Sequence, residues 1–171
     1  ALVLTTRAAV ADQNDPRLEP LFATLAGIDN PIQAFRLENA IWSLWIASDD
    51  PEVAHLMEEG VSAMQTYRLE AAVDLFTAII ERAPDYAEGW NKRATVYYML
   101  GNYEGSLADI DETLAREPRH FGALSGRGLI YDALGDQAKA LEAFEEALEI
   151  HPFLFGARTR VEELKRSLRP I

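Results

Sequence analysis

A period of 34 residues runs through the middle of this chain and restricts it to very few folds. Gly60, Ala94 and Gly128 stand one period apart, as do Ala72, Ser106 and Ala140. Phe76, Ile110 and Phe144 keep the same step, and Pro84, Pro118 and Pro152 close each unit. A fixed period of this length marks stacked helix-turn-helix units, each too small to bury its apolar face without a neighbour. The expected architecture is all-α: a right-handed superhelix, or α-solenoid, of three units at 53–86, 87–120 and 121–154. It forms one domain together with its flanks.

Within each unit the first helix covers roughly the first fourteen positions. A turn follows at Tyr67-Arg68, Gly101-Asn102 and Gly135-Asp136, and the second helix starts just beyond it. In the last two turns Gly provides a left-handed helix stop, and Asn102 or Asp136 can cap the next helix. The second helices alternate small and large groups on one face, as in Ala72, Phe76 and Ile79 or Ala140, Phe144 and Ala147. Small residues let helices approach, and large ones fill the space between them.

The flanks lack the period. Residues 12–50 read as a leading helix pair. Asp15-Pro16 is expected to start the first helix, with Leu18, Leu21, Phe22 and Leu25 on its apolar side and Gly27 at its end. Asn30-Pro31 opens the second, whose Ala34, Phe35, Leu37, Ile41, Leu44 and Trp45 form a broad apolar face. The pair is expected to seal the stack as a degenerate leading repeat. Its aromatic group, Phe22, Phe35, Trp42 and Trp45, is expected to be core. Asp50-Pro51 starts the repeats proper over 51–154. Residues 155–171 read as a capping helix with Phe155, Val161, Leu164 and Leu168 covering the last unit.

Residues 1–11, ALVLTTRAAVA, end in an Ala9-Val10-Ala11 triplet of the form cut by signal peptidases. The expectation is an apolar segment, read as the remnant of a signal peptide, that docks on its own body or a neighbouring molecule. It points to export to the periplasm, with the cytoplasm as the alternative.

Charge and residue usage exclude several functions. The net charge is −12, which argues against nucleic acid, whose binding depends on cations that neutralise phosphates. Residues 155–171 carry +3, which leaves −15 for the rest, so the last helix is basic on an acidic body. That helix reads as a solvated cap, with a contact to an acidic partner or a second copy as the sharper alternative. No apolar run approaches the roughly 18 residues of a membrane span, so no membrane insertion is expected. Cysteine is absent and the three histidines do not cluster, so no metal site or cofactor is expected. Glu58-Glu59 and Glu145-Glu146 are adjacent on helices and point apart, and no nucleophile motif or phosphate loop appears. No catalytic residue is assigned and no enzyme is expected. His120 and His151, at unit junctions, are expected to cap the preceding helices.

These landmarks resemble the tetratricopeptide repeat, whose consensus has Trp, Leu, Gly and Tyr at positions 4, 7, 8 and 11 and Ala, Phe, Ala and Pro at 20, 24, 27 and 32. The third unit matches at Gly128, Tyr131, Ala140, Phe144, Ala147 and Pro152; the second matches at Trp90, Tyr97 and Pro118; the first matches at Gly60, Ala72, Phe76 and Pro84. The phrases EGWNKRATVYYMLG and EPRHFGALSG also look like those of small bacterial tetratricopeptide proteins, a likeness that carries no activity with it.

The resemblance implies a protein-protein interaction scaffold whose first helices line a concave groove for a peptide or helical segment. Carried over by position, the groove comprises Met57, Val61 and Met64, then Asn91, Lys92, Thr95 and Tyr98, then Ser125, Leu129 and Asp132. The clamp that holds acidic chaperone tails in this family is not expected, because its sites are Met57, Val61, Lys92, Gly122 and Gly126. Only Lys92 could serve there. The competing expectation is self-assembly into a homo-oligomer through the N-terminal segment or the basic last helix.

Position 7 departs from the consensus leucine and carries Glu59, Arg93 and Arg127. The expectation is a structural ion ladder in which Glu59 pairs with Arg93, and Asp109 pairs with Arg93, Arg127 or both.

Overall fold

The structure, a computed structural model, describes residues 12–168. The expectations for residues 1–11 lie outside them. Among the described residues there are nine helices and no strand. The leading pair is α1 (Leu18–Ala26) and α2 (Pro31–Ile46). Three helix pairs follow: α3 (Pro51–Gln65) with α4 (Leu69–Arg82), α5 (Ala87–Met99) with α6 (Tyr103–Arg116), and α7 (Phe121–Ala133) with α8 (Gln137–Ile150). The last helix, α9 (Phe155–Ser167), packs on α8.

Local chemistry accounts for most boundaries. Asn30 accepts the N–H groups of Ile32 and Gln33, Asp50 accepts that of Glu52, and a proline occupies the first helical position after each. Asn102 and Asp136 cap α6 and α8 through the N–H groups of Gly105 and Lys139. Gly101 and Gly135 stop the preceding helices at φ +75° and +79°. In the first unit Tyr67 takes this left-handed position, at φ 56°. The first helix starts later than Asp15-Pro16 suggests. Asp15 instead accepts the Arg17 N–H at 2.9 Å and binds its guanidinium, so residues 12–17 form turns and α1 begins at Leu18.

Size complementarity joins the two helices of each unit. Gly60 lies against Phe76, where an added Cβ would be 2.5 Å from the ring, and Gly128 lies in the same way against Phe144. In the middle unit Ala94 and Ile110 replace these groups, and Ser106 donates its hydroxyl to the Ala94 carbonyl at 2.7 Å. Small-opposite-large packing thus recurs at the sequence period and sets the spacing within each pair.

The leading pair sits elsewhere than expected. Leu18, Phe22, Leu25, Ala34, Ile41 and Trp45 form a buried cluster with Phe121 of α7, joined by Ile150, Phe153 and Leu154. The pair therefore packs across the second and third units and the start of α9, and does not seal the first unit. The broad apolar face of α2 finds its aromatic floor at the junction of the second and third units, where Trp45 stacks on His120 at 4.2 Å. Phe22 and Trp45 are core and Trp42 is half-buried, but Phe35 is 63% exposed because it lies on the far side of α2.

The cap buries Ala157, Val161 and Leu164. Phe155, at its first turn, is 83% exposed and extends beyond the repeat it was expected to cover. The basic character of α9 is largely met within the molecule. Arg160 pairs with Asp132 and Glu163, and Lys165 reaches Glu145 at 2.6 Å.

Candidate functional site

The residues assigned to a single groove lie in two cavities and in the core. Met57 is 3% exposed, in a cluster with Val53 and Phe76, and Met64 packs against the same cluster. Met57 and Val61 both line a shallow depression with Ala54 and Gln65, bordered by Ile46 and Ser48 from the end of α2 and its loop. Asn91, Thr95, Tyr98, Ser125 and Leu129 line a second cavity of about 230 Å³ between α5 and α7. One wall of this slot comes from outside the repeats, from Glu38 and Trp42 of α2. Helix α2 thus lies over the N-terminal halves of α5 and α7 and leaves their C-terminal halves open.

Two of the assigned residues are already committed. Lys92 places Nζ 2.9 Å from Glu88 Oε1, an ion pair made outside hydrogen-bond alignment, and 5.2 Å from the Trp42 ring. Asp132 pairs with Arg160 of the cap and does not line the slot. Lys92 therefore shapes the wall, and Asp132 ties α7 to α9.

A buried polar network that the sequence reading missed positions the slot. His120 accepts the Ala123 N–H on Nδ1 at 3.0 Å, so it caps α7, the helix that follows it, and not the preceding one. With Nδ1 accepting, the proton sits on Nε2 and points at Glu88 Oε2, 3.0 Å away. Asn91 Nδ2 donates to the same carboxylate at 3.1 Å. Burial pushes the Glu88 carboxyl up, but the Lys92 ammonium and the His120 donor outweigh it and hold the group below its ordinary value. The network links α5 to α7, and Trp45 stacked on His120 extends it to α2.

Three further contacts fix α2 and the segment before α1. His151 accepts the Phe153 N–H on Nδ1 and places Nε2 3.1 Å from Glu38 Oε2. The buried Tyr86 hydroxyl donates to the Ile46 carbonyl at 2.7 Å, and its pKa is raised by burial and by the charges of Glu88 and Asp12. Gln13 bridges the Asp85 carbonyl and the Ala87 N–H across the junction of the first two units.

The ion ladder takes a different form. Arg93 binds Asp109 through two hydrogen bonds of 2.7 and 2.8 Å and donates to Thr77 at 3.1 Å. Arg127 binds Asp111 at 2.7 Å. Glu59 lies 3.7 Å from His55 on its own helix and does not reach Arg93. Contact is made instead with second helices, 16 residues away in either direction. Leu75 and Ala143 stand at the corresponding offsets from Glu59 and Arg127, so those two find no second partner there.

Among the described residues no three acidic or imidazole side chains are grouped to hold a metal ion. No described helix is long and apolar enough to cross a membrane.

The helix pairs, their glycine-stopped turns and a slot between first helices define a helix-turn-helix repeat protein of the solenoid class. The tetratricopeptide repeat model matches residues 57–113 and 91–154, and the chain belongs to that family. A TPR repeat-containing protein of Rhizobium etli is 42% identical over 110 residues, covering 64% of this chain and 54% of its own length. The chain thus spans about half of that relative. Among solved structures, the first TPR of Spaghetti (RPAP3) bound to an HSP90 peptide superposes with a TM-score of 0.66 at 23% identity, over 70% of this chain and 95% of that one. The Yersinia enterocolitica type III secretion chaperone SycD, in complex with a peptide of the translocator YopD, gives 0.65 at 14% identity, over 72% and 98%. Both likenesses are of fold.

Proposed function

We propose that this chain is a protein-protein interaction module that binds a segment of a partner protein on the concave face left open beside α2. The slot between α5 and α7 is the observation that carries this reading. Asn91, Thr95, Tyr98, Ser125 and Leu129 present a ring, three hydroxyl groups and an amide to it, the groups that pair with a peptide and its backbone. Val61, with Ala54 and Gln65, offers a second contact beyond the end of α2. Met57 borders that second contact, Met64 packs beneath the face, and Lys92 and Asp132 hold its walls. The reading is supported by the peptides bound to the two neighbours of the same fold. Binding is favoured over catalysis because no nucleophile, base and orienting group meet in the slot.

The acidic-tail mode does not fit this surface. Lys92 is held by Glu88, and a Cβ at position 122 would be 2.7 Å from Trp42, so α2 occupies the space above Gly122. Capture of partner proteins by the purified chain, compared with a Thr95→Glu, Leu129→Glu variant shown to be folded, tests the assignment. Loss of a specific partner with the variant is expected. Equal capture moves the site off the slot.

A second reading, self-association, draws on one surface feature. Ile32, Phe35 and Phe155 are all more than half exposed, and Phe35 and Phe155 flank a depression between α2 and α9. Contiguous exposed apolar groups mark contact surfaces more often than single ones do. Sedimentation of the chain and of a Phe35→Ser, Phe155→Ser variant tests it: a dimer lost on substitution supports the reading, and a monomer at all concentrations ends it.

A further inference from the structure

We infer that the slot between α2, α5 and α7 is an anchor pocket for one aromatic or large aliphatic side chain of the partner segment, flanked in that segment by Lys or Arg. This rests on the interaction-module reading and specifies what the module selects.

Size sets the first limit. The slot measures about 230 Å³. That exceeds the roughly 150 Å³ of an apolar cavity that takes benzene, and falls short of the roughly 300–1,000 Å³ of sites that enclose a drug-sized molecule. One ring or branched side chain fits, and a helix or folded loop does not. The lining is mostly apolar, with Trp42 on one side and Ile110 at the floor. Gly126 leaves the floor open: a Cβ there would meet only the Ile110 Cδ1 atom, at 3.6 Å. The Trp42 wall belongs to α2, so the repeats alone do not form the pocket.

A polar feature fixes how the segment lies. Asn91 lines the slot and is 6% exposed. Its Nδ2 is used by Glu88, which leaves Oδ1 as the acceptor end of the amide. A backbone N–H of a bound segment can donate to that oxygen. The anchor side chain then enters beside that N–H.

Charge decides the neighbours of the anchor. Glu38 is the charged residue of the lining. Its partner His151 accepts a backbone N–H on Nδ1, so it faces Glu38 as a neutral donor and leaves the carboxylate charge uncancelled. With a net charge of −12 on the chain, cations within a turn of the anchor are favoured and acidic flanks are repelled.

The test is a random dodecapeptide library displayed on phage and panned on the full chain, followed by titration of the enriched peptides against two variants. Gly126→Leu grows a side chain into the slot and replaces glycine within a helix, so it fills the pocket and keeps the fold, as circular dichroism will verify. Glu38→Gln keeps an acceptor for His151 and removes the charge. The expected result is peptides with one aromatic or large aliphatic residue flanked by Lys or Arg. Their affinity should fall at least ten-fold with Gly126→Leu, and their salt dependence should weaken with Glu38→Gln. Enriched peptides without that pattern, or with unchanged affinity for Gly126→Leu, overturn the anchor and leave peptide binding elsewhere on the module intact. No enrichment at all counts against the anchor and the module together.

Discussion

Replacing Asp109 by alanine isolates the energetics of the position 7 arginines. Arg93 and Asp109 have side chains 15% and 5% exposed and share two hydrogen bonds. Removing one member of such a buried pair costs about 3–5 kcal/mol, because the partner charge is stranded. Arg93 retains its bond to Thr77 and lies over the Trp90 ring at 5.2 Å, which places the expected cost near the lower end, about 3 kcal/mol. In a chain of this size that lowers Tm by roughly 6–12 °C. Arg127 and Asp111 provide an internal control: the arginine contact is similar, but Asp111 is 72% exposed, and its removal should cost less than about 1 kcal/mol. Adding Arg93→Met to Asp109→Ala removes the stranded charge and should recover part of the loss. Urea unfolding followed by circular dichroism measures all four proteins. An Asp109→Ala protein within about 0.5 kcal/mol of the parent, or an Asp111→Ala loss as large as that of Asp109→Ala, would refute the reasoning.

Other sites give equally direct outcomes. Tyr67→Gly should stabilise by about 1 kcal/mol, because an exposed tyrosine at φ 56° is replaced by a residue that adopts that conformation freely; a lower Tm would contradict this. Gly60→Ala should destabilise by about 1–3 kcal/mol through its 2.5 Å approach to Phe76. Gly126→Ala, which meets only Ile110, should gain about 1 kcal/mol from helix propensity, so the two changes should shift the urea midpoint in opposite directions. The folded-state pKa of Glu88 lies below its ordinary 4.5, so its contribution is fully present above that pH and is lost as pH falls through the folded value. Tm measured against pH should decline in that acid window, and Glu88→Gln should lose stability at neutral pH and flatten that part of the curve.

The 34-residue period made the repeat helices and their turns legible because each unit repeats one local solution: a first helix, a left-handed stop, and a small residue facing a large one. The landing place of α1 and α2 was not legible. Their partners, His120, Phe121 and His151, lie at unit junctions far along the chain, and nothing periodic connects them to Trp45 or Glu38. The same gap split the groove, since Asn91 and Ser125 are held together partly by a helix that is not a repeat. For the arginines, the register at position 7 was visible, but sequence spacing did not show that contact is made across 16 residues and not across a full period. Hence Asp109 was found and the Glu59 partnership was misplaced.

The most direct measurement places a photo-crosslinking amino acid at Thr95, on the open rim of the slot, and separately at Ala108, exposed on α6. Each form is irradiated with cell extract from the source, and the adducts are mapped by mass spectrometry. A concave-face module predicts a defined partner peptide joined to position 95 and none at position 108. A partner joined only at position 108, or the same background at both, would contradict the account.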